Sequence, residues 1–418
     1  MKRFLLISAA SLTLTNSQVV NSQANVKSNA INNVSATRAT TKSSTCQRSG
    51  AQNFLVFSGG GAPSYNEIAL EKNVLYFQRS LRELGYNPSD VPIYFANGNT
   101  GEKTVRFINE KREEAFKAPE IPFLDGASSV ANVRKKLQGL EKSTAPLFFY
   151  FTGHGGFNRQ NHDNSTMLMW RDQGLTVQNF TQMLDRLPQK TPFVTMMSQC
   201  YSGSFANVIY RGGDPRRGIA LQTRCGFFAT IKTNPSVGCT PEVNEADYRD
   251  YSSSFFAGLT GRDRIGRKVR SADYNQDGRV SYSEAHAYAK IDKFTTDLPI
   301  STSEAWLQRQ VNNPTLRNRL LDQSIAPLAK VARPEQRHVI NTLSQQFKFD
   351  VNRSFLRNVQ SMDSSLIKTP EDEAYVTRLA MELVNVGMEQ RVKSSKNQQE
   401  IEILNRLIKC ESGSWGKV

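Results

Sequence analysis

From residue 54 onward, apolar positions fall into two alternating rhythms. Unbroken apolar runs at 54–57, 91–95, 146–152, 192–198 and 226–231 are short and bounded by turn residues. That pattern predicts strands buried on both faces, as in a parallel sheet. Between them, 68–84, 130–140 and 176–187 carry apolar residues at helical spacing, and Gly85 closes the first. Strands alternating with helices predict a doubly wound α/β sandwich with a mostly parallel central sheet. Beyond residue 300 the strand-like runs give way to amphipathic helical patterns at 305–310, 336–347, 373–392 and 399–408. In the last of these Ile401, Ile403, Leu404, Leu407 and Ile408 lie at helical spacing. A boundary is therefore expected near 300, between an α/β domain (51–299) and a C-terminal α-helical domain (300–418). No internal repeat is apparent.

The first fifty residues follow neither rhythm. Met1-Lys-Arg-Phe is a short basic start, and 5–14 is an apolar stretch too short to span a bilayer comfortably. Small residues near Ser22-Gln-Ala24 complete the pattern of a cleaved signal peptide over 1–24. Residues 25–50 are rich in Asn, Ser, Thr and Ala, a composition that buries too little surface to fold, and read as a flexible leader. The expected location is secreted or periplasmic, with no membrane span in the remainder.

Composition adds a charge of +15. This favours acidic surfaces, but the cations are dispersed and no nucleic-acid motif accompanies them, so no specific nucleic-acid partner is expected. Five cysteines are present. An odd count in an exported protein leaves at least one thiol unpaired. Cys225 and Cys239 bracket a predicted strand and turn, where a local disulfide is expected, and Cys200 is then the odd one out. Four scattered histidines without a CxxC pair offer no zinc cluster.

Two predicted strands end in chemistry. One runs into Thr152-Gly-His154-Gly-Gly156, the other into Ser198-Gln-Cys200-Tyr-Ser-Gly203. In an open parallel sheet, catalytic groups collect at the carboxyl ends of strands. Cys200 and His154 would meet there as nucleophile and acid/base, with the N–H groups of Gly155 and Cys200 placed for an oxyanion.

The segments 149–155, 175–184 and 196–204, with these two residues at their centres, resemble legumain and its bacterial relatives, in the clan of cysteine peptidases that includes caspases and gingipains. The resemblance spans roughly 54–291. It implies a caspase-like sandwich, a peptide or protein substrate, and a cysteine endopeptidase that works through an acyl-enzyme thioester. It further implies that His154 is the catalytic histidine, Cys200 the nucleophile, Gly155 an oxyanion donor and Asn66 a residue that supports the histidine. The family follows its Tyr-Asn with a basic specificity residue, whereas here Tyr65-Asn66 is followed by Glu67. Cleavage after asparagine is then not assured, and Glu67, or Glu242, Glu245 and Asp247, would suit a basic substrate side chain. Ser198 and Gln199 are further candidate substrate-binding residues. The helical region resembles the legumain plan of a segment covering the site, which implies intramolecular inhibition of a zymogen. Two alternatives stand beside hydrolysis: a transpeptidase or ligase using the same dyad, and a catalytically silent calcium-binding scaffold.

A second motif, Asp273-Tyr-Asn275-Gln-Asp277-Gly278-Arg279-Val-Ser281-Tyr-Ser-Glu284, follows the EF-hand pattern. Oxygen donors fall at loop positions one, three, five and nine, the Arg279 carbonyl at seven, glycine at six and a carboxylate at twelve. Structural Ca2+ over 273–284 is expected, with the helix after the loop evident and the one before it not.

Overall fold

The computed structural model describes residues 52–415 apart from 293 and 312. The signal-peptide and leader expectations lie outside them. In chain order the elements are β1 (Asn53–Gly59), α1 (Ile68–Glu83), β2 (Ile93–Phe95), β3 (Val105–Ile108), β4 (Glu114–Lys117), β5 (Leu124–Gly126), α2 (Val130–Gly139) and β6 (Leu147–Gly156). There follow β7 (Thr166–Met169), β8 (Gln173–Thr176), α3 (Val177–Leu184), β9 (Phe193–Met197), β10 (Arg224–Phe228), α4 (Tyr251–Thr260), α5 (Tyr282–Ile291) and β11 (Ile300–Ser301). The chain ends in α6 (Thr302–Arg309), α7 (Pro314–Leu321), α8 (Ile325–Val331), α9 (Pro334–Gln346), α10 (Phe355–Ser361), α11 (Pro370–Lys393) and α12 (Gln398–Glu411).

The main sheet runs β11-β10-β9-β6-β1-β2-β5, parallel throughout except for β11. Its apolar strands work by parity, because successive side chains leave a strand on opposite faces. Phe54, Val56, Phe148, Tyr150, Val194, Met196 and Phe227 join one core with residues of α1, α4 and α5. Leu55, Phe57, Phe149, Phe151, Phe193, Met197 and Phe228 join the other with residues of α2 and α3. A continuous apolar run is thus the sequence signature of a strand covered on both sides, as expected. The hairpins β3–β4 and β7–β8 were not legible, being short and only partly buried.

The change of rhythm at residue 300 marks a change of element type inside one compact unit. β11 adds to the sheet edge, and Trp415, fully buried, sets its ring edge-on to Phe54, Phe77 and Phe148 in the first core. Cys225 on β10 is bonded to Cys410 on α12. That corrects the sequence expectation of a Cys225–Cys239 bridge: β10 carries Cys225 into the core beneath the last helix, while Cys239 remains a free thiol. A buried charge cluster reinforces the seam. Lys290 of α5 bonds Glu304 of α6 and, at 2.5 Å, Glu382 of α11, and His286 Nε2 lies 3.1 Å from Glu304. Arg378 of α11 donates to the carbonyls of Lys290, Thr295 and Asp297.

Candidate active site

β6 outruns its neighbours. Its last pairs with β9 and β1 are Phe151 and Gly153, and His154, Gly155 and Gly156 then pair with β7 instead. His154 therefore stands one residue past the parallel sheet, at its carboxyl edge. Cys200 follows β9 by three residues, in a turn closed by Tyr201 in the left-handed region (φ 59°). Gly155 brings the two tips together. A Cβ at this position would lie 2.0 Å from the Cys200 carbonyl oxygen and 3.0 Å from Gln199 Cγ. Only glycine permits that approach, so the residue between His154 and Gly156 is dictated by the packing of the Cys200 backbone.

His154 Nε2 lies 2.9 Å from Glu67 Oε2, and Tyr65 packs edge-on against the imidazole. The other Glu67 oxygen accepts from Arg106 on β3 at 2.8 Å. Burial pushes the Glu67 carboxyl up, but the hydrogen bond and charge of His154, a backbone N–H and Arg106 outweigh it and hold it below the usual carboxylate range. Glu67 is thus a buried carboxylate anchoring the imidazole. With Nε2 fixed, Nδ1 has no hydrogen-bond partner among the described residues.

The Cys200 thiol is half-buried and lies against the segment after β10, where Ser236 N–H points at Sγ from 3.3 Å. Burial raises its pKa, opposed by the Ser236 N–H and reinforced by the charge of Asp297. Asp297 accepts from Val237 N–H at 3.0 Å, leaves Oδ2 buried without a partner, and is pushed up to about 7, chiefly by burial. The second free thiol, Cys239, sits on the same segment facing the Gly153 carbonyl, and burial holds it well above the ordinary thiol range.

Two of the expected roles are corrected by these placements. Asn66 does not reach His154: its Oδ1 accepts from Gly60 N–H and its Nδ2 donates to the Thr104 carbonyl, so it fixes the turn after β1. Glu67 is not free for a basic substrate side chain, since both its oxygens are occupied by His154 and Arg106. Glu245 pairs with Lys72 and Arg79, and Glu242 with Arg112. Asp247 accepts from Asn244. Ser198 and Gln199 are buried beside Cys200, and Ser198 Oγ and Gln199 Oε1 have no hydrogen-bond partner among the described residues. The Glu67–His154 pairing had one signal in the sequence, the placement of Glu67 next to the Tyr-Asn pair. Arg106, on an unpredicted hairpin, had none.

The 273–284 loop has part of the geometry that calcium needs. Asp273 accepts from Asp277 and Gly278 N–H groups, Asn275 from Asp277, and Asp277 from Arg279, with Gly278 at φ +82° making the turn. Glu284 instead caps α5, accepting from the N–H groups of Tyr274, Asn275 and Ser281. Among the described residues no three acidic, His or Cys side chains converge as a metal cluster. The donor set suits a hard cation, but Glu284 must exchange its N–H partners to join it.

No protein-family model and no curated protein matches the chain. Its structure is similar to that of a Geobacter sulfurreducens protein (11% identity, TM-score 0.35, covering 60% of this chain and 92% of that one). It is also similar to caspase-1 from Spodoptera frugiperda (11% identity, TM-score 0.34, 60% and 86%). A third likeness is to a secreted cysteine protease from Bacteroides thetaiotaomicron solved with an irreversible peptide inhibitor (14% identity, TM-score 0.29, 66% and 70%).

Proposed function

We propose that the chain is a cysteine endopeptidase with Cys200 as nucleophile and His154 as general acid/base. The observation that carries this reading is the contact of the two strand tips through Gly155, with His154 held from behind by Glu67. A raised thiol pKa leaves little thiolate at neutral pH, so the thiol depends on a base at the moment of attack. In this reading His154 removes the Cys200 proton as sulfur attacks the peptide carbonyl. The N–H groups of Gly155 and Cys200 receive the oxyanion, and His154 returns the proton to the leaving amine. Water then hydrolyses the thioester by the same route in reverse. Glu67 keeps the imidazole oriented and stabilises its protonated form. The test is intact-mass analysis after treatment with a peptidyl acyloxymethyl ketone library. One adduct on the wild type and none on Cys200→Ala supports the reading, and no adduct with any probe sinks it. Peptide product mapping, with and without an added amine nucleophile, separates hydrolysis from ligation.

Calcium belongs to the same proposal. Asp273, Asn275, Asp277, the Arg279 carbonyl, Ser281 and Glu284 would hold the ion, which would brace the loop leading into α5. Calorimetric titration with Ca2+ should give one site that is lost in Asp273→Ala. A flat titration of chelator-treated protein would remove calcium from the account.

A further inference from the structure

A cavity of about 380 Å³ opens between the segment that follows β10 and helix α6. Apolar residues, among them Ala206, Ile231, Ile300 and Trp306, make up the larger part of its lining, beside polar Asn207, Thr233 and Gln308 and the cations Lys232 and Arg309. Three connections tie it to the catalytic edge. The segment 230–236 runs alongside the nucleophile's turn: Ser236 N–H meets Cys200 Sγ, Tyr201 N–H donates to the Asn234 carbonyl, and Gly203 N–H donates to that of Thr230. The loop after His154 is pinned to the rim, because Asp163 binds Lys232 at 2.6 Å and Arg309 at 2.8 Å. Asn207, on the cavity wall, donates to the Asp163 carbonyl. Cavity and dyad therefore share the 230–236 segment and the two loops that carry the catalytic residues.

Lys232 is four residues from Ser236, which is at most about 13 Å of extended chain. Because a turn closed by Asn234 N–H to the Ile231 carbonyl shortens this span, a peptide lying across the segment with its cleaved bond at Cys200 would bring a side chain up to four residues away to the cavity mouth. We propose, on the basis of the peptidase reading above, that the cavity is a substrate subsite for a large apolar side chain, aromatic or branched aliphatic, at that distance from the cleaved bond. Its size and lining match pockets that take such groups. The rim holds two cations against the single Asp163 carboxylate, so lysine and arginine are disfavoured there.

The test uses the full-length protein and a peptide library varied at the four positions on each side of the bond. Cleavage is read by mass spectrometry, and acyloxymethyl ketone labelling is run in parallel. Wild type should prefer Phe, Tyr, Trp or Leu over Lys by about tenfold or more at the third or fourth position. Ala305→Phe, which fills the cavity from α6, should reduce that preference to under about threefold while still forming the Cys200 adduct. If that variant melts early, Ile231→Ala serves instead, and its enlarged cavity should shift preference toward the bulkiest aromatics. Peptide affinity of Cys200→Ala, measured by fluorescence polarisation, should show the same ranking without turnover. A labelled, active enzyme with a flat profile at those positions, or a preference that both cavity variants leave intact, overturns the subsite alone. Failure of labelling overturns the peptidase reading and the subsite with it.

Discussion

The molecule contains the same pair of side chains twice, in opposite surroundings. His154 and Glu67 lie 2.9 Å apart at the sheet edge, and His286 and Glu304 lie 3.1 Å apart in the seam between α5 and α6. The first imidazole is 22% exposed and the second 4%. His286 uses both nitrogens, Nδ1 taking the Tyr251 hydroxyl at 2.6 Å and Nε2 meeting Glu304, so it has no nitrogen left for a substrate. Burial and the neighbouring Lys290 push it down to about 4, which keeps it neutral in ordinary buffer. His154 has a nitrogen to spare and a thiol-bearing turn beside it. A histidine–carboxylate pair is therefore not a site in itself. Access and an unspent ring nitrogen separate a proton carrier from a structural brace.

The comparison breaks most decisively in paired substitutions. His154→Ala should lower kcat/KM by about 10³–10⁴-fold with an unchanged melting temperature, whereas His286→Ala should melt early and keep full activity per folded molecule. Equal losses of activity in both variants would erase the distinction. Glu304→Gln leaves Lys290 poorly compensated in the interior and should cost about 3–5 kcal/mol in denaturant unfolding. Acid should sharpen the contrast further. The unfolded chain protonates histidine near pH ~6.5, while native His286 resists until about 4. The unfolded state binds more protons in that window, so stability falls as the pH drops through it, by up to about 3 kcal/mol. His286→Gln should lack that component, and parallel pH–stability curves would contradict the burial argument. The smallest effect is at Glu67→Gln, which removes a charge-assisted hydrogen bond worth about 1.5–3 kcal/mol. It should lower kcat by about ten- to hundredfold with little change in KM.

What the sequence disclosed follows from what each residue answers to. Leu147 to Phe151 and Phe193 to Met197 are constrained by burial on both faces, and that constraint is written in their own composition. His154 and Cys200 were legible because each closely follows such a run, His154 between two glycines and Cys200 three residues before Gly203. Asn66 was misread because family position placed it on the histidine, whereas its side chain satisfies backbone groups at Gly60 and Thr104. Glu67 was misassigned because its partner is 87 residues away: its place beside Tyr65-Asn66 put it near the histidine without showing which side chain makes the contact. The same holds for Cys410, whose partner on β10 is 185 positions away, and for Trp415, which meets Phe54 near the other end of the described residues. The cavity beneath Lys232 and Arg309 is likewise a product of assembly, since its walls come from segments around 206, 231 and 306.

The bond between Cys225 and Cys410 joins residues 185 positions apart, closing a loop that includes 273–284 and nearly all of the C-terminal helices. A proteolytic nick anywhere inside that enclosure makes two polypeptides that remain one covalent molecule. On a gel such a clipped form would run at full size until reducing agent split it into fragments. A single cut inside that loop therefore loosens the helical region without releasing it, unless a second cut or a thiol reductant frees the tether.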